Sequence, residues 1–142
     1  MDFPVISSRL RVRYAETDQM GVVYYANYLI WFEMGRAEYC RRMGFSYASL
    51  EEEGFRLMVA DVYCRYKAPA RYDDTVRIET TLRELKKKTL TFGYKIFNDT
   101  SGQLLAHGYT KHVCTNHDGR LVRLPNTFVQ CITSPFPDVP KS

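Results

Sequence analysis

Apolar positions along this chain change their period at a few clear points. Over Ser8–Tyr14, Leu10, Val12 and Tyr14 alternate with Arg9, Arg11 and Arg13, which predicts a half-buried strand. From about residues 25–27 to Gly44 the pattern predicts one long helix. Its first turns are apolar on nearly every side, at Tyr28, Leu29, Ile30, Trp31, Phe32 and Met34, so the expectation is a helix enclosed by other elements. Arg41 and Arg42 complement the dipole in its last turn, and Gly44 suits the left-handed position after it. Phe45–Gly54 reads as a short helix with a serine cap and a glycine stop.

Strand patterns dominate the rest of the chain. A strand is expected from about Leu57 to Lys67, with Ala60, Val62, Cys64 and Tyr66 on one face, ending at Ala68-Pro69-Ala70 because proline cannot donate to a ladder. Thr75–Leu85 turns Val76, Ile78, Thr80 and Leu82 inward, and Thr89–Asn98 does the same with Leu90, Phe92, Tyr94 and Ile96. The turn at 98–102 leads into Gln103–Asn116. Asp118-Gly119 signals a hairpin that Arg120–Leu124 would extend or close. Pro125 breaks the pattern, 126–132 has room for one or two helical turns, and the Pro-rich tail at about 134–142 is expected to be loose.

No later helix matches the first in length, and consecutive strands without crossover helices imply antiparallel pairing. The expected class is therefore α+β, a curved antiparallel sheet wrapped around one long central helix. A length of 142 residues suits a single domain, and 45% hydrophobic with 25% charged residues is ordinary for a globular chain. A net charge of +4 favours anionic small molecules and falls short of a nucleic-acid footprint. No apolar run approaches membrane-spanning length, and M-D-F-P-V-I-S-S lacks the regions of a signal peptide, so no stable membrane insertion is expected. Cys40, Cys64, Cys114 and Cys131 show no C-x-x-C spacing and read as free thiols in a reducing cytoplasm.

Candidate chemistry concentrates between Tyr14 and Tyr28, in a polar loop that carries Glu16 and Asp18 into the long helix. By residue type alone Asp18 fits a turn aspartate as well as a reactive carboxylate. Glu16 reads as solvated, and Glu33 and Glu38 read as helix carboxylates paired with Arg36 or Arg41. His107 and His112 are an odd number of positions apart, so one strand points them to opposite faces and a zinc site is not expected. Cys114 lies in the middle of a strand among core residues, which weakens a Cys–His nucleophile pair. No Gly-rich phosphate loop or G-x-S-x-G elbow is present.

The run R-V-R-Y-A-E-T-D-Q-M-G-V-V-Y-Y-A-N-Y at Arg11–Tyr28 resembles the hotdog-fold acyl-CoA thioesterases of the 4-hydroxybenzoyl-CoA thioesterase family, in its YbgC-like branch. F-E-M-G-R-A-E at Phe32–Glu38 and H-V-C-T-N-H-D-G-R-L-V-R-L-P at His112–Pro125 extend the resemblance in the same order. It implies an enzyme without metal or organic cofactor that hydrolyses acyl-CoA to free acid and CoA. In that pattern Asp18 is the nucleophile or general base, and the Tyr25 N–H, with Ala26 beside it, forms the oxyanion hole. Gly21 lets the loop backbone approach the ligand. Lys86, Lys87 and Lys88, with Thr89, would hold CoA phosphates across a dimer interface, although the same residues also fit a solvated hairpin turn. Many members carry histidine where this chain has Tyr25. The resemblance also implies a homodimer or a homotetramer built as a dimer of dimers. Another acyl-CoA reaction such as hydration, or a non-catalytic acyl-CoA or partner-binding module, would suit the same fold.

Overall fold

The computed structural model describes residues 3–134, and the Pro-rich tail beyond them lies outside the described residues. Five strands form one antiparallel sheet: β1 (Val5–Arg11), β2 (Arg56–Tyr66), β3 (Thr75–Leu85), β4 (Thr89–Asn98) and β5 (Leu104–Thr115). Their spatial order is β1-β3-β4-β5-β2, so β1 and β2 are the two edges. The helices are α1 (Asn27–Arg42), α2 (Tyr47–Glu52) and α3 (Asn126–Thr133).

The strand pattern translates directly into burial at the centre of the sheet. Val76, Ile78, Thr80 and Leu82 of β3, with Leu90, Phe92, Tyr94 and Ile96 of β4, are all buried beneath α1. Phe32 of α1 stacks on Tyr94 at 4.3 Å between ring centroids, and Tyr39 meets Phe92 edge-on at 5.6 Å. Gly35 allows the close approach of helix to sheet, because a Cβ there would collide with Thr80 Oγ1 and Ile78 Cγ2. Ser46 caps α2 by accepting from Ser49 N at 3.2 Å, and Gly44 and Gly54 take positive φ after α1 and α2.

The helix is not enclosed on every side. Tyr28, Trp31, Phe32, Tyr39 and Cys40 are buried, whereas Leu29, Ile30 and Met34 are 39%, 49% and 47% exposed. β2 departs from expectation in the same way. Its burial pattern is exposed along most of its length instead of showing one inward face, with Met58, Val59, Val62, Tyr63 and Tyr66 all uncovered. A lone five-stranded sheet has an unpaired edge at β2, and among the described residues none covers that edge or the exposed flank of α1.

Two smaller expectations also change. β1 begins at Val5 and ends at Arg11, and Tyr14–Glu16 forms a single 3-10 turn that leaves Tyr14 exposed. The alternation holds up to Val12, with Ile6 and Val12 buried and Arg9 and Arg11 exposed, and the register Val5↔Thr81 to Arg11↔Thr75 sets the length of the strand. Arg120–Leu124 pairs back on β5 as expected, through the bridge Thr115↔Leu121 and the bonds from Asn116 N to Arg120 O at 3.0 Å and from Val122 N to Cys114 O at 2.9 Å. Glu38 pairs with Arg41 as expected, at 2.6 Å, and with Arg42 at 2.7 Å, whereas Arg36 turns inward and donates to Tyr47 Oη at 2.9 Å and Tyr94 Oη at 3.2 Å. Tyr94 Oη continues to Thr110 Oγ1 and from there to His112 Nε2, so a polar chain runs through the core. Burial, and secondarily the Arg36 charge, pushes the His112 pKa down to about 3, leaving it neutral near pH 7. His107 faces the opposite side of the sheet, near Tyr63.

Candidate active site

The loop between β1 and α1 folds into a tight hairpin with Asp18 at its base. Asp18 N donates to Val22 O at 2.8 Å, and Gly21 N returns to Asp18 O at 3.0 Å. Gly21 has φ +78°, the left-handed conformation that favours glycine, which accounts for that residue through the turn itself. One Asp18 carboxylate oxygen, Oδ1, accepts from Met20 N at 2.8 Å and more weakly from Val22 N at 3.4 Å. Oδ2 has no partner among the described residues. Asp18 is thus both a turn aspartate and a carboxylate with one free oxygen.

That oxygen belongs to a residue lining a cavity of about 360 Å³, together with Met20, Val22, Tyr25, Tyr28 and Tyr66. The walls are mostly aromatic and aliphatic, with the chain at Lys67–Pro69 closing one side. Tyr25 stands at the entrance to α1. Tyr24 O, Tyr25 O and Ala26 O accept from Asn27 N, Tyr28 N and Leu29 N, whereas Tyr25 N and Ala26 N donate to nothing among the described residues. Free amides at a helix start carry the positive end of its dipole. The structure therefore brings Asp18 and Tyr25 to one cavity. Gly21 and Ala26 sit in the adjoining backbone and are not part of its lining.

Glu16 holds this arrangement and is the residue that sequence reasoning misplaced. It is buried, not solvated, and accepts from Trp31 Nε1 at 2.9 Å and from Arg13 N at 2.8 Å. Its backbone carbonyl takes Tyr24 N at 2.8 Å and the Asn27 side-chain amide at 2.9 Å. The Arg13 guanidinium lies 3.5 Å from the carboxylate but is largely exposed, so the hydrogen bonds carry most of the stabilisation. The partner Trp31 is fifteen residues away, and no local spacing rule connects the two. Tyr28 and Tyr66 also went unnoticed: Tyr28 Oη accepts from Ala70 N at 3.0 Å, and Tyr66 Oη donates to Tyr25 O at 3.0 Å.

The lysine turn lies elsewhere. Lys86, Lys87 and Lys88 are exposed between β3 and β4, and Thr89 starts β4 with its carbonyl accepting from Lys86 N at 2.8 Å. Cys114 N and Leu124 N bond to Lys88 O and Lys87 O, so the turn's backbone is fixed while its ammonium groups reach solvent. Lys86 and Lys87 line a groove of about 380 Å³ with Arg123 and the start of α3. Within one chain this groove is far from Asp18. Lys88 is tied to Cys114, Tyr66 is paired with Ala106, and the stretch of β5 from Ala106 to Cys114 spans roughly 26 Å at ~3.3 Å per residue. Among the described residues no group of three or more His, Cys, Asp or Glu side chains is placed to hold a metal ion.

Residues 12–139 match the model of the thioesterase-like superfamily. The chain belongs to that superfamily. Among its members, the acyl-CoA thioesterase YbgC of Haemophilus influenzae is 35% identical over 115 residues, 80% of this chain and 79% of that protein. The DHNA-CoA thioesterase of Staphylococcus aureus superposes with a TM-score of 0.81 at 36% identity, covering 84% of this chain and 80% of its own. A 4-hydroxybenzoyl CoA thioesterase solved with 4-hydroxybenzoyl CoA superposes at 0.82 over 91% of this chain and 99% of its own, and at 22% identity it shows the shared hotdog fold alone. No helix among the described residues is long and apolar enough to cross a membrane.

Removing the Glu16 carboxylate should loosen the loop rather than remove a reactive group. Glu16→Ala leaves the buried Trp31 Nε1–H without its acceptor, a defect that typically costs about 1–3 kcal/mol. The expected outcome in urea unfolding is a midpoint lowered by that amount of stability, with partial loss of any activity. A midpoint equal to wild type would return Glu16 to the solvated role that its residue type suggests.

Proposed function

We propose that this protein is an acyl-CoA thioesterase, hydrolysing the thioester to free carboxylic acid and CoA. The observation that carries the reading is that Asp18, with its free carboxylate oxygen, and Tyr25, with its unpaired amide, line one largely apolar cavity. Hydrolysis of a thioester needs a group that attacks or activates water and donors for the oxyanion that forms at the carbonyl. Tyr25 N–H and Ala26 N–H fill the second role. Asp18 fills the first, either attacking the carbonyl to give an anhydride that water then opens, or taking a proton from the attacking water. In both routes the C–S bond breaks and CoA leaves as the thiol. The aromatic and aliphatic walls suit an acyl group, and the acyl-CoA chemistry of the superfamily members at 35% and 36% identity supports the same substrate class.

Asp18→Ala should lower kcat by about 10²–10⁴ with little change in KM, measured by thiol release over a panel of acyl-CoAs. A near wild-type kcat would pass the role to another carboxylate, with Glu33 and Glu38 on α1 next in line. Single turnover in labelled water separates the two routes: a nucleophilic Asp18 retains label in the protein, and a general base sends it only to the product acid.

Copies of this chain are proposed to pair through the β2 edge and the exposed α1 flank, giving a homodimer or a dimer of dimers. The apolar residues left uncovered there support this, since long uncovered edges invite another strand. The expected result in light scattering is at least twice the 16.6 kDa chain mass. An active monomer would refute the pairing. Two-fold pairing of antiparallel β2 strands sets the Tyr66 end of one copy beside the Arg56 end of the other, which is the lysine-bearing end of the sheet. Lys86, Lys87 and Lys88 would then serve the partner copy's cavity, holding CoA phosphates as point charges. Replacing all three by alanine should raise KM for acyl-CoA and weaken its salt dependence, while a short pantetheine thioester reacts as before. Equal losses on both substrates would leave the lysines as an ordinary solvated turn. Four free cysteines support a reducing compartment, the cytoplasm.

A further inference from the structure

The two unpaired amides at the start of α1 lie in a turn that is tighter than an α-helix. Asn27 N, Tyr28 N and Leu29 N bond to the carbonyls three residues back at 2.9, 3.2 and 3.2 Å. In a trans peptide the N–H points opposite to the C=O, so whatever holds the Tyr25 carbonyl also sets the direction of the Ala26 N–H. Two donors hold that carbonyl. One is Tyr28 N at 3.2 Å, inside the turn, and the other is the Tyr66 hydroxyl at 3.0 Å, from a residue 41 positions away.

Tyr66 is the last residue of β2 and lines the same cavity. Its ring meets Tyr28 edge-on at 5.1 Å and Tyr25 edge-on at 6.2 Å, which fixes where the hydroxyl points. Desolvation, and after it the neighbouring Cys64 thiol, raises the Tyr66 phenol pKa above its ordinary value, so the group is a donor throughout the neutral range. Tyr24 O and Ala26 O receive no such external donor among the described residues. The outside support falls on the one peptide whose N–H is the second oxyanion donor.

We infer that Tyr66 is a positioning residue for thioester hydrolysis, its hydroxyl locking the Tyr25–Ala26 peptide so that the Ala26 N–H stays aimed at the developing oxyanion. The inference rests on the reading of Tyr25 and Ala26 as the oxyanion donors. A donor that must first rotate into place gives up part of its stabilisation of the transition state, because preorganisation is what such donors supply. The loss should therefore appear in kcat and leave ground-state binding alone.

Tyr66→Phe tests this, since it keeps the ring and removes only the hydroxyl. The expected result is a kcat lowered about three- to tenfold, the range of one net hydrogen bond, with KM and the unfolding midpoint close to wild type. Two CoA analogues supply an independent readout. A trifluoromethyl ketone, which presents a tetrahedral oxyanion in place of the thioester, should lose affinity by the same factor as kcat. A thioether, which has no carbonyl, should bind unchanged. A wild-type kcat, a loss confined to KM, or equal weakening of both analogues would overturn the inference and make Tyr66 a packing wall of the cavity. Asp18→Ala measured alongside separates the two readings. If it abolishes turnover while Tyr66→Phe does not affect it, only the role of Tyr66 fails. If Asp18→Ala turns over normally, the carboxylate assignment fails, and the analogue pair still reports on the amides.

Discussion

Glu16 gathers the bonds that give this site its shape. Burying a carboxylate costs several kcal/mol after relaxation, and here Trp31 Nε1 and Arg13 N satisfy its oxygens while its own carbonyl takes the Tyr24 and Asn27 donors. The side chain thus reaches into α1 and back to the end of β1, and the backbone at the same residue holds the helix entrance. Asp18 follows two residues later, and the free amides lie seven or more residues beyond that. Their common orientation depends on both segments being fixed at one point. Among the described residues the Asp18 carboxylate is held by turn bonds from Met20 and Val22 alone, which orient it locally but do not tie it to the helix.

How the cavity is closed follows from the same geometry one layer out. Tyr28 is buried and uses its hydroxyl to hold Ala70 N, where the chain crosses from β2 to β3. Tyr66 uses its hydroxyl to hold the helix entrance from the end of β2. The two rings touch, so helix start, strand end and crossover form one aromatic unit with its polar ends turned toward backbone. This suits a site where an apolar acyl group and a polar carbonyl must lie side by side.

Much of the fold was legible in the sequence because its strongest signals are local. β3 and β4 fall on the predicted Thr75–Leu85 and Thr89–Asn98, since inward residues at a period of two leave little choice of register. Gly44 and Gly54 stop their helices where a left-handed residue is required. Failures came where a partner lies far along the chain. Tyr14 continued an apolar alternation, but the turn capped by Glu16 takes it out of the strand. Glu16 looked solvated because its partner Trp31 is fifteen residues away. The exposed flank of α1 could not be told from a buried one, because apolar residues meant for another surface look the same in sequence as residues of the core. Asp18 and Tyr25 were legible through the resemblance of their surrounding run, and the geometry brings them to one cavity. The support given by Tyr66 depends on the direction of a hydroxyl and carries no spacing signal at all.

The edge strand joins these threads. β2 is exposed on both faces for most of its length and has hydrogen-bonded neighbours on one side only. Strands in that position open locally at lower free energy than central ones. Yet the residue that steadies the helix-start amides is the last one on this strand. Covering β2 with a second copy would complete its ladder and restrain the Tyr66 end, so assembly would stiffen the proposed oxyanion donors as well as bury apolar surface. The lysine turn argues in the same direction, because its roughly 26 Å separation from the Asp18 end leaves it without a role in its own chain's cavity. In the proposed dimer, pairing of copies would therefore act on the chemistry through a strand that carries no reactive group.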